Sequence, residues 1–198
     1  MLKIRYKTYQ KPLATSRMKI KTTYISSINY INNLEFDYLE TYSLQRGGKY
    51  DGRIIQDPEY NEFQILKKKK QLSELEILRF KQLNKLYGYT QYLIDSDGIF
   101  HPSAEKTGTY KIDNVIIEKL KSILNTPIKE VPSWMCAPVY RDAIVFYNSD
   151  NKIVSTLNVC LSCEYMETKM SNHINADAET YNLMREFFIE LGHKVEEK

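Results

Sequence analysis

A chain of 198 residues with 42% hydrophobic and 27% charged side chains holds enough apolar material for one core and too much for a disordered chain. Its formal net charge is +3, with acids and bases mixed along the chain, which does not mark a nucleic-acid or membrane binder. No stretch approaches the roughly 18 apolar residues of a membrane-spanning helix. The opening MLKIRYKTYQKPLATSRMKI contains no apolar signal segment. Three cysteines, an odd number, do not make a secreted disulfide framework, so the cytoplasm is the expected compartment.

Residues 1–57 lean towards β structure and turns. Leu2, Ile4 and Tyr6 alternate with Lys3, Arg5 and Lys7, with Tyr9 extending the apolar stretch, and Met18, Ile20 and Thr22 face one way in MKIKTTYI. RGGKYDGRII is rich in turn residues. Residues 58–88 predict helices. Pro58 suits a first helical turn, and Ser73 with Glu76 has capping-box spacing. Leu75, Phe80, Leu83 and Leu86 predict one broad apolar face, with Gly88 as the stop. The run Lys67 to Lys70 points all round a helix and reads as solvated surface. YTQYLIDSDGIFHPS predicts strand, turn, strand about Asp97-Gly98. KIDNVIIEKLKSILN predicts a helix with Asp113 as cap and a stripe of Ile116, Leu120, Ile123 and Leu124. Pro127 and Pro132 bracket a linker. AIVFY and KIVSTLNVCL then predict a hairpin about NSDN. A last helix carries Tyr181, Met184, Phe187, Phe188 and Leu191 on one face and ends at Gly192. The expected fold is a single α+β domain: a mainly antiparallel sheet with three or four helices packed on it. A subdivision into a β-rich 1–57 and a 58–198 part with the helices and the cysteine hairpin is conceivable.

No catalytic motif emerges. Asp95-x-Asp97-Gly98 after an apolar strand superficially resembles the first motif of haloacid-dehalogenase-type phosphatases. Ile99 stands where that family has threonine, and only Asp150 matches a later acidic motif. A turn explains these residues without catalysis. Ile99 and Phe100 also exclude an EF-hand loop. His101, His173 and His193 lie in no local nucleophile motif.

The cysteines gather in one region. A turn centred between Ser149 and Asp150 pairs residues that sum to 299. Cys136 then faces Cys163, and Cys160 faces Val139. Three readings stay open: small buried groups, a zinc site of Cys136, Cys160 and Cys163 with His173 as fourth ligand, or a redox pair.

Cys136, AIVFYNSDN, NVCLSC and FFIELG together resemble a set of uncharacterised bacterial proteins, over about a quarter of the chain. Those carry an Arg-His pair after the first cysteine, where this chain has Tyr140-Arg141-Asp142. The resemblance implies a fold unit and no catalytic activity. With no motif and 16 tyrosines, side chains that suit interfaces, the expected function is non-catalytic binding of another protein. In its sharper form this is an immunity-type protein that blocks a toxin, with neither nucleic acid nor membrane as partner. A zinc- or thiol-dependent regulatory module is the alternative, with zinc its only implied cofactor.

Overall fold

The computed structural model describes residues 22–47, 50, 57–88, 90–133, 135–168 and 172–195. The alternation expected over Leu2 to Tyr9, and at Met18 and Ile20, lies outside them. The elements run β1 (Thr23–Ser26), α1 (Ser27–Asn32), β2 (Tyr38–Ser43), α2 (Pro58–Lys68), α3 (Glu74–Tyr87), β3 (Glu105–Lys111), α4 (Val115–Leu124), β4 (Asp142–Tyr147), β5 (Ile153–Cys160), β6 (Tyr165–Glu167), β7 (Asn172–Asn175) and α5 (Ala178–Glu190). The strands form one seven-stranded sheet in the order β1-β7-β6-β5-β4-β2-β3. Every pairing is antiparallel except β1 with β7. Strands from both sides of position 57 share this sheet, in an α+β fold.

β4 shows why the sheet is organised as it is. Its six residues are all buried, and successive side chains leave by opposite faces. Ile144 and Phe146 enter the main core with α1, α4 and α5, where Leu39, Leu157, Val159, Phe187 and Phe188 also lie. Ala143, Val145 and Tyr147 face a second cluster with Tyr42, Leu44, Leu93 and Ile94. A strand buried on both faces reads as an unbroken apolar run, and AIVFY does after Asp142.

The second cluster is closed by the segment around Asp97-Gly98. A bridge joins Ile94 to Phe100. Gly98 takes a φ of 80°, which glycine adopts without a steric penalty. The expected turn is therefore present, flanked by one bridge instead of two full strands.

α2 and α3 form a hairpin with its own small core of Tyr60, Phe80, Leu83 and Tyr87. The capping box at Ser73 is made as expected: the Ser73 side chain accepts from the Glu76 amide, and Glu76 accepts from the Ser73 amide. Leu75 corrects the expected apolar face, being 79% exposed. It sits in the first turn of α3, beyond the part that packs on Tyr60. In α4 the cap is Asn114, whose side chain accepts from the Ile116 amide, in place of Asp113. Ile117 is fully buried there and Ile116 only partly, so the inward stripe is Ile117, Leu120, Ile123 and Leu124.

The cysteine hairpin is shifted by two from its expected register. Asp142 pairs with Val159 and Ile144 with Leu157, and an irregularity follows between Phe146 and Tyr147. A shift of two keeps each side chain on its expected face, because the side-chain period is two. β4 begins only at Asp142, so Cys160 does not face Val139. It pairs with Tyr165 of β6.

Candidate functional site

The three cysteines separate into two kinds. Cys136 and Cys163 are joined in a disulfide with α-carbons 6.3 Å apart, and Cys160 is a buried free thiol. The bonded pair is therefore not the Cys-x-x-Cys pair. Cys160 ends a strand and points into the fold, while Cys163 lies in the β5–β6 turn beside the 135–141 segment. His173, the expected fourth zinc ligand, is engaged elsewhere. Its Nδ1 lies 3.2 Å from Glu167 Oε1, the Tyr165 hydroxyl bonds its ring, and Tyr24 stacks on it at 4.7 Å. Two sulfurs bonded to each other offer no thiolate, so these four residues do not make a zinc ligand set in this arrangement. Among the described residues no group of three or more His, Cys, Asp or Glu could hold a metal ion. The bond closes a loop of 27 positions. Reducing it, or Cys136→Ser, is expected to cost about 2–4 kcal/mol in urea unfolding. A thiol count of one before reduction and three after, with an unmoved urea midpoint, would show that the bond forms but does not stabilise.

Two buried polar clusters lie across the sheet. In the first, Glu167 accepts from Tyr140 Oη at 2.6 Å and from the Tyr92 hydroxyl, and its backbone carbonyl accepts from Asn158 Nδ2 at 3.2 Å. Asn158 Oδ1 in turn accepts from the Leu93 amide. Burial, then the Glu167 carboxylate, pushes the Tyr140 hydroxyl well above the usual phenol range.

The second cluster resembles a catalytic triad. His193 Nδ1 lies 2.8 Å from Asp142 Oδ1, and His193 Nε2 lies 2.7 Å from Thr107 Oγ1. Gly192 sets it up. At φ 83° it ends α5 with His193 N donating to Phe188 O, and the imidazole then lies over the Phe188 ring at 4.8 Å. The arrangement is closed, however. The His193 side chain has no exposed surface. Arg46 Nη2 bonds the same Asp142 oxygen at 2.6 Å, and the Thr107 hydroxyl is also held by Thr41. A nucleophile needs a place beside it where a reacting atom can sit. These groups instead tie the end of α5 to β2, β3 and β4. No local motif signals this cluster in sequence, because its members run from Thr41 to His193.

Asp95 has both oxygens committed. Oδ1 accepts from the amides of Asp97 and Ile99, and Oδ2 from Lys85 Nζ at 2.8 Å. Lys85 first, then the turn amides, holds this carboxyl below the usual range. His101 is buried, with Nδ1 2.8 Å from Ser103 Oγ, and burial holds its imidazole below the ordinary range.

Sealed tyrosines carry a consequence for alkaline stability. Burial raises Tyr30 and Tyr181 above the phenol range, and Tyr147 and Tyr165 to about 12. Unfolded tyrosine ionises near 10. The folded state thus holds protons that the unfolded state has released, so stability is full below about pH 10 and falls as pH rises towards 12. An absorbance titration is expected to show a late group of tyrosines that ionise only as near-UV circular dichroism collapses. Smooth titration of all of them in a folded protein counts against the burial.

Two open surfaces stand out among the described residues. One is a cleft of 740 Å³ between β1, β7 and the start of β5, where Tyr24, Ile25, Ile153 and Val154 are exposed. The other is a groove of 690 Å³ on the α2–α3 hairpin with Leu72, Ile77 and Phe80 as its apolar floor. Ile65, Leu75 and Leu78 are exposed elsewhere on the same two helices. Among the described residues no helix is long and apolar enough to cross a membrane. Comparison of the chain with models of known protein families, with curated proteins and with solved structures finds no match.

Proposed function

We propose that this chain is a non-catalytic protein-binding module and, in the sharper form, a bacterial immunity-type protein that neutralises a toxin. The observation that carries the reading is the α2–α3 hairpin. It opens a groove floored by Leu72, Ile77 and Phe80 beside a core of its own, and it leaves Ile65, Leu75 and Leu78 exposed on the same two helices. Exposed apolar side chains beside an apolar groove cost solubility and mark interaction sites. The groups with reactive potential support the same side, since Asp142, His193 and Glu167 are sealed by their own neighbours. Blocking a toxin needs shape and charge complementarity alone.

The test is co-expression with the products of neighbouring genes. Growth arrest by one of them, relieved by this chain through a complex of defined stoichiometry, is the expected result. Neighbouring products that neither arrest growth nor bind this chain would sink the immunity form.

The disulfide favours a second reading, a thiol-dependent module in the cytoplasm. There the Cys136–Cys163 pair would open and close with redox state. Its test is the thiol count of protein isolated from cells under acid quench, together with metal content and a melt with and without chelator. One zinc per chain and a melt that collapses on chelation would establish the zinc form. A stable one-thiol state in growing cells would remove both the switch and the cytoplasmic assignment.

A further inference from the structure

We infer that the α2–α3 groove takes an acidic amphipathic helix of a partner protein. The inference rests on the binding-module reading and names the chemistry of its partner. The floor is apolar, and the rim is lysine: Lys67, Lys70, Lys81 and Lys85 line the groove, with no carboxylate among its described walls. Lys85 is paired with two carboxylates, Asp95 and Asp97, at 2.8 and 3.1 Å, and adds no net positive charge, which leaves the first three to carry the rim charge.

The lysine run is placed by the end of α2. Lys69 caps the helix, the Lys70 amide donates to Lys67 O, and the Gln71 amide donates to Leu66 O. This is a Schellman stop whose left-handed position glycine usually fills. Here it is Lys70, at φ 56°. A lysine in that conformation carries a backbone strain that glycine would not, as Gln45, Asn151 and Glu164 do elsewhere. The turn sets Lys70 beside Lys67, whose ammonium lies 4.7 Å from the centre of the Phe80 ring. All four consecutive lysines are exposed, as the solvated reading expects, and two of them also line one apolar surface.

Charge also argues against the chain covering its own groove. Residues 1–21 hold seven basic side chains and no acid. They would be repelled by the lysine rim. A helix that lays apolar residues at i, i+3, i+4 and i+7 on Leu72, Ile77 and Phe80 would carry its acids at the flanks, where they meet Lys67, Lys70 and Lys81.

The experiment is selection of a random 16-residue phage-displayed peptide library on the full chain, counter-selected on K67E/K70E/K81E. Enriched sequences are expected to place Asp and Glu around apolar residues at helical spacing. A synthetic peptide of that sequence is expected to bind at least tenfold more weakly to the triple variant, and more weakly as salt rises. Lys70→Gly separates function from folding: it is expected to raise the thermal midpoint and weaken the peptide. No enrichment, enrichment without acids, or an affinity unmoved by charge reversal overturns the inference. So does co-sedimentation with phosphatidylglycerol vesicles, or self-association in the ultracentrifuge, that the triple variant abolishes while the peptide fails to bind. A triple variant that still neutralises a toxin removes the groove and leaves the binding-module reading standing.

Discussion

Phe187→Ala is expected to cost about 3–5 kcal/mol of stability, the range for emptying a phenyl ring from a packed core. The ring has no exposed surface and meets Phe188 edge-on at 5.7 Å. It belongs to the cluster that joins α5 to Leu157 and Val159 of β5. A sheet and its covering helices relax little around such a hole, so the lost contacts are not replaced. Urea unfolding with a matched m-value measures it. A shift under about 1 kcal/mol would mean that α5 does not rest on the hairpin.

Glu167→Ala is expected to cost a similar amount, about 3–5 kcal/mol, for a different reason. The carboxylate is 4% exposed and gathers Tyr140, Tyr92 and His173. Removing it orphans the Tyr140 hydroxyl, which is fully buried and has given its hydrogen bond to Glu167. The full desolvation of that group is then uncompensated. Glu167→Gln keeps an acceptor and is expected to cost roughly half as much or less. Equal losses for the two variants would assign the effect to volume, not to hydrogen bonding.

Local signals in the sequence were legible where the physics is local. The Ser73 capping box, the Gly192 stop, the α5 stripe and the Asp97-Gly98 turn all depend on residues within a few positions, and each is present. β4 was legible because burial on both faces leaves an unbroken apolar run. The strands that escaped are those whose burial is set by distant neighbours. β3 reads EKTGTYK and is mostly exposed, so only its pairing with β2 makes it a strand. β6 and β7 have three and four residues, too few for any period to show. The helix α1 was missed because six residues present less than two turns of pattern. The cysteine pairing survived a wrong register: Cys136 does meet Cys163, brought there by the turn after β5 instead of by strand pairing. The sites fared worse. His193 reaches Asp142 across 51 positions and Tyr92 reaches Glu167 across 75, and neither separation leaves a mark on neighbouring residues.

β1 lies at the margin of the sheet, and Thr23 bonds Asn172 across 149 positions. During synthesis this gives the chain an inverted schedule. Among the described residues the first strand in the chain is among the last that can be paired, because its neighbour β7 emerges when most of the chain is already out. Closing so long a loop adds an entropic delay that local helices do not meet. β2, α2 and α3 have their nearest contacts far sooner, α2 and α3 with each other. A nascent chain halted before Asn172 therefore leaves the backbone of Thr23–Ser26 without its pairing with β7, an open strand edge presented to whatever chaperone attends the ribosome.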